Sequence, residues 1–155
     1  MKSIVLPFET QAATRFNRKL VLNAPDLAKL TSGTAQAVVP ENALGVATLT
    51  LPKNVYVGRV MVNVATAFTS SGGAITTLTL GLGDGGSATR FLNAVDLKTA
   101  ALAMGTSTGY LYTVADTLDI TVAIVGQTMA SLNAGQVEIY LELIDVNGVL
   151  GITQP

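Results

Sequence analysis

The sequence predicts an all-β protein: a jelly roll or close β-sandwich of about eight antiparallel strands, with at most short helices. Three observations predict it. Apolar residues recur with a period of two over long stretches, as they do on half-buried strands. Clusters of Gly, Asn, Ser and Pro punctuate those stretches at short intervals. Apolar spacing of the helical kind, at three and four residues, is sparse.

The elements follow in chain order. Residues 1–19 are expected to form an amino-terminal arm, and residues 20–155 one sandwich domain of the size its length allows. Weak strands are expected at 20–23, 35–39 and 44–51. Between the first two, Ala24-Pro25-Asp26-Leu27-Ala28-Lys29-Leu30 reads as a helical turn or two, with Pro25 near the first helical position. Leu51-Pro52-Lys53-Asn54 reads as a turn. A strong strand spans 56–68, where Tyr56, Val60, Val62, Val64 and Phe68 form one row with Gly58 and Thr66. Ser70-Ser71-Gly72-Gly73 then reads as a loop between antiparallel neighbours. The next row is Leu78, Leu80 and Leu82. A long connection at 84–109 holds Phe91, Val95 and Leu102 at loose helical spacing. A weak strand at 110–114 precedes the row Leu118, Ile120, Val122, Ile124. Asn133-Ala134-Gly135 reads as a turn before the row Val137, Ile139, Leu141, Leu143. Asn147-Gly148 leads into a last weak strand at 148–153.

Composition narrows the chemistry. The chain has no His, Cys or Trp. Without Cys there is no disulfide scaffold, thiolate zinc site or cysteine nucleophile. Without His the commonest general base and the Ser-His-Asp triad are missing. The protein is therefore expected to be no enzyme and to carry no cofactor or metal. Charged residues make up 12% of the chain, about half the usual share. Residues 44–82 carry only Lys53 and Arg59. Outer strand faces so poor in charge resemble interface cores, so part of the sandwich is expected to be covered by another chain. The alternative is a Thr-rich β surface kept soluble by its loops.

The charges are also sorted. All nine basic residues fall in residues 1–98 with five acids, net +4; residues 99–155 hold five acids and no base, net −5. Such sorting can align subunits head to tail or dock a basic arm on an acidic neighbour. Overall the net charge is −1, so no broad basic field for nucleic acid exists. The start, MKSIVLPFETQ, lacks the unbroken apolar core of a signal peptide, and the uncharged run Val60 to Gly83 is interrupted by Asn63, Ser70, Ser71, Gly72 and Gly73. No membrane partner is expected.

Several clusters invite a chemical reading. Gly81-Leu82-Gly83-Asp84-Gly85-Gly86 matches a dinucleotide fingerprint in its glycines, but no helix or second parallel strand follows. It reads instead as a tight turn whose glycines supply positive φ. Arg90 is placed to pair with Asp84 or a later acid. Asp116 and Asp119 form a carboxylate pair without an aromatic platform, a poor glycosidase. With Asp84 they offer oxygen ligands for calcium, but no calcium-loop motif surrounds them. Glu138, Tyr140 and Glu142 share one strand face, either an acidic contact stripe or a solvated surface. Arg15, Phe16, Arg18 and Lys19 are the one basic patch. They read either as an anchor on a partner chain or as an ordinary edge strand. These seven residues are the candidate partner-binding set.

The order of motifs resembles a family. Leu78-Thr79-Leu80-Gly81-Leu82-Gly83-Asp84 is followed by Thr89-Arg90-Phe91-Leu92 and Asp96-Leu97. Then come Gly109-Tyr110-Leu111, Asp116-Thr117-Leu118-Asp119-Ile120-Thr121-Val122 and Leu132-Asn133-Ala134-Gly135-Gln136-Val137. Over residues 44–145 this is similar to the capsid decoration (cement, or head-stabilising) proteins of tailed bacteriophages, which have a jelly-roll core. The resemblance implies a structural virion protein on the capsid surface, assembled in the host cytoplasm. It also implies a homotrimer bound to the major capsid protein lattice, with an arm reaching neighbouring subunits. The alternative is a tail or fibre β-sandwich module that binds a host-surface glycan. A small hydrolase using Asp and Glu alone is the third class.

Overall fold

The structure is a computed structural model that describes residues 2–5, 16–37, 50–105 and 109–146. Two antiparallel sheets pack face to face. The larger sheet holds β1 (Lys2–Val5), β2 (Arg18–Asn23), β11 (Leu132–Asp145) and β5 (Val55–Ser70) in that order. The short strands β8 (Leu102–Met104) and β9 (Tyr110–Leu111) both pair with the far edge of β5. The smaller sheet places β3 (Ala35–Ala37) and β4 (Thr50–Leu51) on one side of β10 (Asp116–Val125). On the other side of β10 lie β6 (Thr77–Asp84) and then β7 (Ser87–Asp96). Taking β3 with β4, and β8 with β9, as two interrupted strands leaves eight from β2 onward. Every link between them except β6–β7 crosses from one sheet to the other. That is the jelly-roll topology.

The alternating rows meet between the sheets. Leu20, Leu22, Val62, Val64, Val137, Ile139 and Leu141 face Leu78, Leu80, Leu82, Leu118, Ile120 and Val122, each 1% exposed or less. Burying one such side chain stabilises the fold by about 1.5–3 kcal/mol. The helical turn is α1 (Ala24–Leu27), with Pro25 in its first turn. The Asn23 N–H donates to the Asp26 carboxylate at 2.9 Å, so the entry to α1 is capped from within.

Four expectations are corrected. First, the row at 56–68 is not continuous. Leu143 faces Val57 and Leu141 faces Val60, so Gly58 and Arg59 together oppose Glu142 in a β-bulge. The bulge turns Val57 inward and Tyr56 outward. Second, the connection 84–109 contains β7 and β8 rather than helix. β7 is irregular in register against β6, and Ala94 adopts φ +48°, which hides its alternation. Third, Ser70–Gly73 carries the chain between sheets, since β5 and β6 are not neighbours. Fourth, Asn133-Ala134-Gly135 lies inside β11. There Gly135 takes φ +131°, and a Cβ on it would stand 2.3 Å from the Phe68 ring. The weak strands at 20–23, 35–39, 44–51 and 110–114 appear, within the described residues, as β2, β3, β4 and β9. Residues 38–49 and 148–153 lie outside the described residues.

Candidate functional site

The outer face of the larger sheet gathers much of the predicted set. β11 runs between β2 and β5, so Tyr140 faces Lys19 on one side and Met61 on the other. Glu138 likewise faces Val21 and Asn63. The Lys19 ammonium lies 2.7 Å from a Glu138 oxygen and 5.2 Å from the centre of the Tyr140 ring. The other Glu138 oxygen accepts from the Tyr140 hydroxyl at 2.8 Å and the Asn63 amide at 3.1 Å. Burial works to raise the Glu138 carboxyl, but these three donors outweigh it and hold it below its ordinary value. The hydrogen bond to Glu138 raises Lys19 in turn, against the opposing effect of burial. Phe16, 7% exposed, packs on Tyr140 with ring centres 6.0 Å apart.

The remaining predicted residues sit apart from this cluster. Glu142 stands opposite the bulge, 3.8 Å from the Arg59 guanidinium. Arg18 donates to the Asn17 carbonyl at 3.1 Å at the start of β2. Arg15 lies outside the described residues. The basic patch and the acidic stripe are therefore largely joined within one chain. Three basic residues of the front portion, Lys19, Arg59 and Arg90, meet Glu138, Glu142 and Asp84.

Asn17 was not singled out from sequence, yet it links β2 to β11. Its amide donates to the Leu143 carbonyl at 2.6 Å and accepts from the Leu143 N–H at 3.0 Å. One side chain thus does the work of a strand residue just before β2 begins. Nothing in the local sequence marks it, because its partner lies 126 positions away.

A second polar cluster surrounds Asp84, 2% exposed, at the turn between β6 and β7. One carboxylate oxygen accepts from the Gly86 N–H at 3.0 Å and the Ser87 N–H at 2.8 Å. The other accepts from the Arg90 guanidinium and from the Tyr112 hydroxyl at 2.5 Å. Burial would raise Asp84, but Arg90, Tyr112 and the turn amide of Ser87 together hold it below its ordinary value. Burial, then Asp84, pushes the Tyr112 hydroxyl far up, so it stays a donor. Arg90 also lies 3.9 Å from the centre of the Tyr110 ring, which meets Tyr112 edge to face.

The tight turn expected at 81–86 is present, but none of its glycines has positive φ. Gly83 is required for close approach instead: a Cβ on it would stand 1.9 Å from the Ser87 carbonyl oxygen. Asp116 and Asp119 are each engaged locally by Thr117. Asp116 accepts from the Thr117 N–H at 2.8 Å, and Asp119 accepts from the Thr117 hydroxyl at 2.8 Å. Among the described residues no group of three His, Cys, Asp or Glu is placed to hold a metal ion. Nor is any helix among them long and apolar enough to cross a membrane.

No family model matches the chain, and no curated protein matches it. Solved structures do. A chain in the capsid structure of a Helicobacter pylori bacteriophage, described as acidic stable, is a looser likeness, with a TM-score of 0.44 and 12% identity over 93% of each chain. A chain in the capsid asymmetric unit of cyanophage Pam1 superposes with a TM-score of 0.50 and 19% identity, covering 79% of this chain and 77% of that one. The protein thus shares its fold with a chain of a cyanophage capsid asymmetric unit.

Proposed function

We propose that the protein is a structural component of a phage virion that binds the outside of the capsid lattice and stabilises it as a decoration protein. The observation that carries this reading is the jelly roll shared with a chain of the Pam1 capsid over 79% of the length. The polar clusters support it. Asp84, Glu138 and Glu142 are each held by a basic partner of the same chain, an arrangement that builds a rigid module rather than a proton-transfer site. The protein acts by buried area: it clamps neighbouring lattice subunits and raises the cost of pulling them apart. Many symmetric copies multiply a modest contact through avidity.

The amino-terminal arm, residues 1–19, is the proposed lattice contact. Its strand β1 is the outermost strand of the larger sheet, an edge that a neighbouring subunit can reach. Residues 18 and 19 belong to β2, so a truncation that tests the arm stops at residue 15. The test is capsid rupture on heating, followed by DNA release, with and without added protein. The full chain raises the rupture temperature, and a chain lacking residues 1–15 does not. An unchanged rupture temperature with the full chain, together with binding to host polysaccharide, overturns the reading in favour of a tail or fibre module.

A further inference from the structure

A cleft of about 390 Å³ opens at the end of the sandwich where β9 runs out toward β10. Its walls are Tyr110, Tyr112, residues 113–115 and Gly85 of the β6–β7 turn, and among the described residues Asp116 is the one charged side chain that lines it. A space of that size falls within the range of small-ligand sites, about 300–1,000 Å³. Tyr110 and Val114 are exposed, while Tyr112 is buried.

Asp116 is half-buried. One of its oxygens accepts from the Thr117 N–H at 2.8 Å, and the other accepts from no described residue. Nor does any described base pair with it. Arg90, which packs on Tyr110, is neutralised by Asp84. Lys53, in the turn after β4, makes no ion pair with a described residue. Asp119, the next acid along β10, accepts from the Thr117 hydroxyl and also lacks a base. The acidic back of the chain therefore divides in two. Glu138 and Glu142 are met by Lys19 and Arg59, whereas Asp116 and Asp119 have no cation among the described residues. A carboxylate partly withdrawn from water gains most from a hydrogen-bonded cation.

We propose that this cleft receives a lysine or arginine side chain from a neighbouring protein, its alkyl stem against Tyr110 and Val114 and its cation on the open oxygen of Asp116. Long basic side chains bury their methylenes along apolar surface and carry the charge at the tip. The cleft offers both surfaces: two tyrosine rings with Val114 and Ala115 for the stem, and one unpartnered carboxylate oxygen for the head. The Tyr112 hydroxyl is committed to Asp84, so it does not compete for Asp116. Gly85 leaves room beside the carboxylate, since a Cβ there would stand 3.0 Å from its other oxygen. An acidic ligand would be repelled by Asp116, and a neutral sugar would leave its charge uncompensated. The inference deepens the reading of the protein as a lattice-binding module, with a capsid subunit as the donor of the side chain; the binding of a blocked amino acid does not depend on that reading.

The test is NMR titration of the full chain with the Nα-acetyl amides of lysine and arginine. Both are expected to shift the backbone amides of Gly85 and residues 110–117 saturably. Nα-acetyl-norleucine amide, which has the stem without the charge, is expected to shift none. Asp116→Asn retains an acceptor for the Thr117 N–H and should weaken binding about tenfold or more with unchanged circular dichroism. Asp96→Asn removes the same charge at the other end of β7 and should leave the affinity unchanged. No shift, shifts elsewhere on the chain, equal binding of norleucine, or an Asp116→Asn affinity equal to wild type each overturn the inference. Tighter binding of a neutral sugar such as N-acetylglucosamine overturns it too. If Asp116→Asn fails to fold, the contrast between lysine and norleucine on the wild type decides. Capsid binding is scored separately. A chain that takes lysine in the cleft but ignores capsids refutes the decoration reading and leaves the cleft standing. Capsid binding equal in wild type and Asp116→Asn overturns the capsid subunit as donor.

Discussion

The Lys19 ammonium lies 2.7 Å from the Glu138 carboxylate, joining the basic front of the chain to its acidic back. The pair exists because β11, the last described strand, inserts between β2 and β5. Part of a charge asymmetry that suggested docking between subunits, the Lys19–Glu138 and Arg59–Glu142 pairs, thus joins strands within one. Lys19 and Glu138 are each about four-fifths buried, and Glu138 also serves Tyr140 and Asn63.

Glu138→Ala is therefore expected to cost about 1–3 kcal/mol, more than a bare surface pair, because it strands three donors. Urea unfolding monitored by circular dichroism checks it. Glu138→Gln, which keeps part of the hydrogen bonding, should cost less.

The same cluster sets a pH dependence. Glu138 is held below its ordinary value of 4.5 when folded, so its contribution is complete above that value and fades as pH falls through the folded one. Asp84 behaves alike, starting from an ordinary value of 3.8. Lys19 is raised above 10.5, so its contribution is lost only as pH climbs through its folded value. Melting temperature is expected to be flat with respect to these groups from about pH 5 to pH 10 and to fall on the acid side below about pH 4.5. In Glu138→Gln the acid-side fall should be shallower; an identical fall would show that Glu138 is not linked to folding.

Arg90→Ala leaves a carboxylate 98–99% buried without its cation and should cost about 3 kcal/mol. An Asp84→Asn, Arg90→Ala double variant should recover part of that loss. Strict additivity of the two single costs would show that the pair is not coupled.

Gly83→Ala drives a Cβ into the Ser87 carbonyl and is expected to cost roughly 3 kcal/mol or more, lowering Tm by about 6–12 °C in a domain of this size. Gly33→Ala is the milder comparison, since a Cβ there meets nothing within 4 Å and only its φ of +74° opposes the change. Differential scanning calorimetry separates the two.

Thr121 offers a gain. Its hydroxyl is buried with no hydrogen-bond partner in the structure. Thr121→Val keeps the β-branched shape and removes the orphaned oxygen, so stability should hold or rise by up to about 1 kcal/mol. A loss measured by chemical denaturation would show that the hydroxyl has a partner in solution.

The parts of this fold that were legible in the sequence are those governed by local alternation. Leu78, Leu80 and Leu82 sit inside because the pleat is regular there, and Ile120 and Val122 meet them for the same reason. Where bulges break the pleat, the signal fails: β7 was hidden by the irregular turn of chain around Phe91 and Ala94. The Asp84–Arg90 pair was legible because a tight hairpin brings i and i+6 together. The joining of Tyr112 to Asp84, Asn17 to Leu143 and Lys19 to Glu138 was not, since strand order is decided by the whole core and not by any one segment. Leu102 and Met104 lay in a stretch read as a connection, and Leu111 in one read as a weak strand. Only the register against β5 shows which way those side chains face.

The central claim is attachment to a capsid lattice, and equilibrium binding tests it most directly. Purified protein is titrated onto capsids assembled from the major capsid protein of the same genome, and bound copies are counted after sedimentation. The account predicts saturable binding at a fixed ratio of copies to lattice subunits, reduced by removing residues 1–15. Protein that stays in the supernatant at every concentration, folded by circular dichroism, would contradict it.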